Sequence, residues 1–310
     1  MRPVRVAVVG TGPHMREHLL PTLRALPGVQ VAAVASRDGT HAATLTTEIG
    51  AGRWYAGWEA AVESGVDGVV VAGPPSLHAA VARAALDAGV AVYIEKPPAP
   101  DLASLDDLIA AEQRSGGLAF VGYNFRFARL VEKMRGLVAA PRCLKLRFVT
   151  SKPVVPLWDL PSVDASYLYA IAVHPIEAAV DLFGSIRAVT GGTCRLGGAR
   201  FAAHAALSFH SGAVALLELG NYGRRFDCRW ELVGHDGSVA VVDDFERLRY
   251  IDGGDAIAVE DRDAGRGYAE ALAAFAACIR ERRPSPSPLG ASRPVYEAIH
   301  MLLDRWSGKD

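Results

Sequence analysis

The chain has 310 residues, 50% of them hydrophobic and 22% charged, a balance that supports ordinary cores and excludes a disordered chain. Its 33 Lys and Arg nearly cancel 34 Asp and Glu, for a net charge of −1, which argues against a general nucleic-acid binder. No apolar run approaches the roughly 20 residues that span a bilayer, so no membrane partner is expected.

Arg5–Val9 reads as a buried strand broken by Gly10-Thr11-Gly12, and His14–Leu26 as a helix that stops at Pro27-Gly28. A second strand, Val29–Ala35, precedes a helix near Thr40–Ile49. Gly68–Ala72 and Ala91–Ile94 are strands separated by the helix Ser76–Ala88, and the helix Leu105–Ser115 leads into a fifth strand, Leu118–Gly122. Short apolar runs alternating with amphipathic helices specify a parallel sheet covered on both faces, the doubly wound, Rossmann-type α/β pattern. Beyond about residue 140 the texture changes. Leu144–Ser151, Ala188–Leu196, Ala202–Phe209, Ala213–Leu219, Arg229–Val233 and Val239–Val242 read as strands, several joined by tight-turn signals such as His210-Ser211-Gly212. They predict a C-terminal α+β domain with a large, mostly antiparallel open sheet. Helices are expected around Pro175–Leu182, Tyr268–Arg282 and Val295–Trp306.

The expected division is therefore a dinucleotide-binding domain at 1–122 and a substrate-binding and oligomerisation domain at 123–310, with the C-terminal helix able to pack back on the first. An open sheet face invites self-association, so a homodimer or homotetramer through this sheet is expected. Ala203, Ala205, Ala213 and Ala215 are the small positions that would let two facing sheets approach. Cys143, Cys194, Cys228 and Cys278 form no CxxC pair. Neither a disulfide framework nor a metal site is expected, and a reducing cytoplasm suits the chain.

Gly10-Thr11-Gly12, followed by Pro13, lies where a dinucleotide pyrophosphate meets backbone N–H groups at a helix N-terminus. Met15 stands at the third glycine position of that fingerprint. The second strand ends in Ser36-Arg37-Asp38. An NAD site usually puts an acid at this strand end. Here Ser36 takes the place and Arg37 follows, and a hydroxyl with a guanidinium suits a 2′-phosphate. NADP is the expected cofactor, with NAD the alternative that Asp38 keeps open.

Residues 73–98 read GPPSLHAAVARAALDAGVAVYIEKPP. With the GTG turn, this segment resembles the Gfo/Idh/MocA family of NAD(P)-dependent oxidoreductases. In that family a Pro-Asn-x-x-His element precedes a helix and the next strand ends in Glu-Lys-Pro. Here they stand as Pro74-Pro75-Ser76-Leu77-His78 and Glu95-Lys96-Pro97. GYNFRF (122–127) and ELVGHDGSVAVVD (231–243) resemble later family segments, so the resemblance covers essentially the whole chain.

The resemblance implies that Lys96 faces the nicotinamide and the reacting oxygen of the substrate. A Lys at the C-terminal end of a parallel strand also points into the ligand crevice on general grounds, where it can donate a proton to a carbonyl being reduced. Glu95 is expected to position that ammonium or the cofactor amide. Pro74 and His78 are expected at the cofactor cleft, His78 alternatively as a helix cap. The family's second element, Asp-x-x-x-His-x-x-Asp, reads here Ala170, His174 and Glu177, so the histidine is retained and the first acid is lost. His174 is expected to face the substrate with other neighbours. In a continuous helix Tyr167 and Glu177 share its face; alternatively Pro175 marks a first turn. Trp158, in the Pro-rich loop Pro153–Pro161, reads as a pocket wall or a packed connection. Asn124 and Arg126 read as cofactor or substrate contacts, and Arg126 equally as a tie between domains.

The resemblance thus implies hydride transfer between nicotinamide and a carbonyl, secondary alcohol or imine carbon. The substrate would be a sugar, a sugar nucleotide or a small biosynthetic intermediate. The alternative is a nucleotide-binding sensor on the same fold, which Ala170 favours and the retained Lys96 and His174 oppose.

Overall fold

The structure is a computed structural model that describes residues 2–252, 255–261 and 265–307. The chain forms two compact units. The first runs to Tyr123 and returns for Tyr268–Arg293; the second runs Asn124–Gly267 and resumes at Pro294.

The first unit opens with β1 (Val4–Val9), a π-helical turn (Met15–Leu19) continuing into α1 (Leu20–Ala25), β2 (Val29–Ser36) and α2 (Gly39–Ile49). It goes on through β3 (Arg53–Ala56), α3 (Glu59–Val62), β4 (Gly68–Val71), α4 (Pro75–Asp87), β5 (Ala91–Glu95), α5 (Leu102–Ser115) and β6 (Ala119–Gly122). The strands lie in the order β3-β2-β1-β4-β5-β6 and all pairs are parallel. The order reverses between β1 and β4, which puts the ligand crevice of such a sheet at their C-terminal ends. Every residue of β4 and β5 is buried, the reason both appear in the sequence as unbroken apolar runs. The sequence reading lacked β3, an edge strand with three of its four residues exposed, which has no apolar run to announce it. Asp38 caps α2 by accepting the Thr40 N–H at 2.9 Å, and Asp101 caps α5 by accepting that of Ser104 at 2.7 Å.

The second unit begins with a short 3₁₀ turn (Asn124–Phe127), α6 (Arg129–Leu137) and β7 (Pro141–Val149). A continuous helical run follows: α7 (Val163–Tyr167), a π-helical turn (Leu168–Ala172) and α8 (Val173–Phe183). Then come β8 (Ile186–Gly197), β9 (Arg200–Phe209), β10 (Val214–Gly220), β11 (Asp227–Gly234), β12 (Val239–Asp243), β13 (Arg247–Asp252) and β14 (Asp255–Glu260). The order is β14-β13-β12-β11-β7-β10-β9-β8, antiparallel throughout except for the parallel β7–β10 pair. Leu144, Leu146, Phe148, Leu217, Trp230 and Leu232 line the buried face, and α6 and α8 pack against these strands.

The alternation of this sheet corrects one expectation. Ala203, Ala205, Ala213 and Ala215 are buried, at 8%, 2%, 2% and 0% exposure, and belong to the covered side. The open face carries the residues of opposite parity, His204, Val214, Leu216 and Glu218, together with Lys145 and Arg229. Strand register has a period of two, so a one-residue difference exchanges the faces completely.

Two helices close the chain: α9 (Tyr268–Glu281) and, after a 3₁₀ turn, α10 (Arg293–Trp306). The helix that returns to the first unit is α9 and not the last one. Its Phe275 packs on Tyr93 and Phe120, with ring centroids 5.8 and 6.1 Å apart. α10 stays with the second unit, where Tyr296 meets Tyr169 and Trp306 meets Phe201. The division at 122/123 therefore omits a discontinuous segment of the first unit. Among the described residues no helix is long and apolar enough to cross a membrane, no group of His, Cys, Asp or Glu could hold a metal ion, and the four cysteines are free.

Candidate functional site

At the C-terminal end of β1, Gly10 adopts φ +96° and donates its N–H to Ala35 O at 2.9 Å. A Cβ there would fall 2.0 Å from Ala72 O, so only glycine lets the turn pass between β2 and the end of β4. Over Gly12 the opposite holds: a Cβ would meet nothing within 4 Å. Pro13 follows, exposed, at the start of the helical run. A close backbone turn with open space above it is a cradle of the kind a pyrophosphate needs, so these residues fit a dinucleotide.

At the end of β2 the Thr11 hydroxyl donates to Ser36 Oγ at 3.2 Å, and Arg37 is exposed beside it. Asp38, the acid nearest this strand end, accepts the Thr40 N–H as the α2 cap, and that contact holds its carboxyl below the usual range.

His78 has a different place from the one expected. It is 1% exposed and both ring nitrogens meet backbone: Nε2 accepts the Gly73 N–H and Nδ1 donates to Pro97 O, each at 2.9 Å. Burial pushes its pKa down to about 4, against the contact with Pro97, so the ring is neutral at pH 7. It ties the turn before α4 to the loop after Lys96 and lends no nitrogen to a ligand. Pro74 is exposed and is the residue before α4.

β5 delivers Glu95 and Lys96 to the crevice end of the sheet. Glu95 is 3% exposed, and its Oε2 accepts the Lys96 N–H at 3.2 Å and lies 3.4 Å from His14 Nε2. Burial pushes the carboxyl up, but His14 and the charge of Lys96 outweigh it and hold Glu95 below its ordinary value. Burial lowers the Lys96 ammonium, with Glu95 opposing. The ammonium therefore releases its proton more readily than that of a solvated lysine, and Glu95 opposes that shift.

In the second unit His174 is 6% exposed and stacks on Phe125, ring centroids 4.1 Å apart and planes at 24°. The helix around it is continuous but not regular. The π-helical turn before α8 accommodates Pro175, which has no N–H for an α-helical bond. Tyr167, His174 and Glu177 consequently do not serve one face together. The Tyr167 hydroxyl donates to Phe148 O and accepts the Gly220 N–H, fully buried, so it braces β7 and β10 and is no substrate contact. Glu177 pairs with Arg126 at 2.8 Å, Arg126 also reaches Asp181 at 2.6 Å, and Arg135 pairs with Asp181 at 2.8 Å. Arg126 and Glu177 thus form a buried ion network within their own unit rather than the expected substrate contacts. Burial pushes Glu177 up to about 8, Arg126 pulling it back and Asp181 adding to the rise. Asn124 donates to Arg266 O at 2.8 Å, while its Oδ1 is buried without a hydrogen-bond partner. Trp158 is half-buried in a turn at φ +55°.

A family profile described as "Oxidoreductase family, NAD-binding Rossmann fold" matches residues 4–123. Inositol 2-dehydrogenase 2 of Saccharopolyspora erythraea is 30% identical over 253 residues, 77% of this chain and 73% of that protein. The chain belongs to the Gfo/Idh/MocA family of oxidoreductases. A dTDP-3,4-didehydro-2,6-dideoxy-α-D-glucose 3-reductase of Actinomadura kijaniata is 32% identical over 200 residues, covering 62% of this chain and 60% of that one. Among solved structures, UDP-N-acetylglucosamine 3-dehydrogenase from Acidithiobacillus ferrooxidans superposes with a TM-score of 0.85 at 26% identity over 99% of both chains. The chain spans only 37% to 57% of the length of three other curated relatives it matches.

Gly10, Gly12, Glu95 and Lys96 lie at one end of the first sheet and within the residues that the family profile matches. The sequence reading gave neither His14 nor Phe125 a place at the site, because neither contact leaves a spacing signal: His14 and Glu95 are 81 positions apart, and Phe125 and His174 are 49 apart.

Proposed function

We propose that the protein is an NADP-dependent reductase or dehydrogenase acting on a carbonyl or secondary alcohol of a sugar nucleotide. The observation that carries this reading is Lys96 at the crevice end of β5, its ammonium lowered by burial and opposed by the ionised Glu95. The names of two relatives, a dTDP-keto-sugar 3-reductase and a UDP-N-acetylglucosamine 3-dehydrogenase, support the substrate class. When bound, the nicotinamide supplies or accepts the hydride. Lys96 gives its proton to the carbonyl oxygen as the alkoxide forms, or takes it back in the oxidative direction. NADPH oxidation with dTDP- and UDP-linked ketosugars tests this reading. Turnover with one of them is expected; cofactor binding without turnover on any ketosugar, hydroxy sugar or cyclic imine would favour the sensor reading instead.

NADP rather than NAD is supported by Ser36 and Arg37 at the end of β2, where the nearest acid, Asp38, is committed to capping α2. A charge-assisted contact contributes about 1.5–3 kcal/mol. Arg37→Ala is therefore expected to weaken NADPH binding roughly 10- to 100-fold in fluorescence titration while leaving NADH binding nearly unchanged. Equal affinities of the parent for the two cofactors would contradict the assignment.

We also propose a homodimer or homotetramer through the open face of the eight-stranded sheet. Its support is a depression of about 340 Å³ lined by Leu216, His204, Glu218 and Arg147 among others, with Leu216 43% and Val214 37% exposed. Leu216→Glu is expected to shift the protein to monomer in light scattering. A parent already monomeric at micromolar concentration would rule the assembly out.

A further inference from the structure

Between β10 and β11, within the second unit, a short loop at 221–226 carries Arg224, Arg225 and Phe226. The Gly223 N–H donates to Thr150 O at 2.8 Å, and a Cβ at Gly223 would fall 3.0 Å from Arg225 O and 3.1 Å from Thr150 O. The loop is thereby pinned to the end of β7. Arg266, from the far end of the same unit, lays its guanidinium over the Phe226 ring, 5.2 Å from the centroid. Its backbone is held as well. Asn124 Nδ2 donates to Arg266 O at 2.8 Å, and at Gly267, where φ is +83°, a Cβ would fall 2.0 Å from Asn124 O. Phe226 in turn packs against Phe125 and Phe148, ring centroids 5.9 and 5.7 Å apart.

All three arginines are exposed, and among the described residues no carboxylate pairs with any of them. The acids next to them along the chain are committed elsewhere: Asp227 pairs with Arg147 at 2.8 Å and Asp261 with Arg129 at 3.5 Å. Asp244, beside the start of β11, accepts the Cys228 N–H at 3.2 Å. Other arginines of this unit, such as Arg126, Arg195 and Arg229, do have carboxylate partners. A guanidinium laid on an aromatic face is already ordered and keeps its N–H edge for a ligand. Three cations without a carboxylate, one of them held in place, suit a ligand with several negative charges whose oxygens accept paired hydrogen bonds, which is the chemistry of a phosphate group.

We propose that Arg266, with Arg224 and Arg225, is the subsite for the diphosphate of a nucleotide-linked sugar. This rests on the reading of the protein as a sugar-nucleotide oxidoreductase and adds where the charge of the substrate is held. The pyrophosphate of the cofactor is read at the glycine turn of the first unit, so the two diphosphates are taken by different parts of the chain. The diphosphate of the substrate binds without reacting, so Arg266 acts on affinity and not on the chemical step.

The test titrates UDP and dTDP by calorimetry into protein saturated with NADPH, which keeps the glycine turn occupied. The parent is compared with Arg266→Gln, Arg266→Lys and the double variant Arg224→Gln/Arg225→Gln. The parent is expected to bind at least one of the two nucleotides, and Arg266→Gln to bind it roughly 10- to 100-fold more weakly. Arg266→Lys should lose less, because lysine keeps the charge but not the planar fork. The double variant should lose roughly two- to fivefold, as exposed charges do. NADPH affinity should stay within about twofold in every variant, which also shows that each one folds. In turnover, Arg266→Gln should raise KM for the UDP- or dTDP-linked ketosugar and change kcat far less. No nucleotide binding to the NADPH-saturated parent, equal affinity in the parent and Arg266→Gln, or a KM that Arg266→Gln leaves unchanged would overturn the subsite. Nucleotide binding that depends on Arg266, without turnover of any ketosugar, keeps the subsite and refutes the oxidoreductase reading instead.

Discussion

Lys96→Met is expected to lower turnover about 10²- to 10⁴-fold, the contribution of a positioned proton donor, with NADPH affinity changed far less. Met keeps the length and much of the apolar stem of the lysine while removing the ammonium, so the loss reports on the proton and not on packing. Burial lowers the Lys96 ammonium and Glu95 holds it up. In the proposed role, burial eases release of the proton and Glu95 favours its recovery. Removing it leaves the alkoxide without a proton source at the moment of hydride transfer, while the glycine turn and the end of β2 still hold the dinucleotide. The measurement is kcat beside the NADPH dissociation constant, with circular dichroism to show that the variant folds. Normal turnover in the folded variant would exclude Lys96 as the donor.

Arg126→Met is expected to destabilise the protein by about 3 kcal/mol, the lower end of the ~3–5 kcal/mol for breaking a buried ion pair. The lower end applies because the acids left behind have ways to relax. Asp181 keeps Arg135 at 2.8 Å, and Glu177, already pushed up to about 8 by burial, can take a proton. The sign of the pH dependence follows. Glu177 holds its proton more tightly in the folded chain, so its stabilising contribution is complete below its ordinary value of 4.5 and fades as pH rises through about 8. In Arg126→Met the ionised carboxylate loses its partner, so the destabilisation should grow from about pH 6 to about pH 8.5. Denaturant unfolding across that range is the check. A cost that is the same at both ends would mean that Glu177 is ionised throughout.

The legible parts of the chain were those where a period or a strand-end motif carries the information. The fully buried runs Val6–Val9, Gly68–Val71 and Ala91–Glu95 announced the parallel sheet, and Gly10, Glu95 and Lys96 announced where its ligand end lies. β3 and β13 were not legible, because Arg53–Ala56 at the edge of the first sheet and Arg247–Asp252, one strand in from the edge of the second, are mostly exposed and carry no apolar run. Helix α6 went unread although its apolar stripe is regular, since its nine residues sit among charged ones. The sequence left open whether the helix around His174 is continuous or starts at Pro175; it is continuous with a π-helical turn, and Tyr167 meets the strands, His174 meets Phe125 and Glu177 meets Arg126. Insertion of one wide turn changes which side chains share a face, and no residue type marks it in advance. The role of His78 as a buried tether was not legible, since its partners Gly73 and Pro97 are backbone groups.

The central claim is hydride transfer to a sugar-nucleotide carbon with Lys96 supplying the proton. It is tested most directly by incubating the protein with NADPH deuterated at nicotinamide C4 and a panel of dTDP- and UDP-linked ketosugars, and locating the label by mass spectrometry. The account predicts one deuterium on the former carbonyl carbon of one product, and loss of that label transfer in Lys96→Met. Tight NADPH binding with no deuterium in any product, or equal transfer by Lys96→Met, would contradict it.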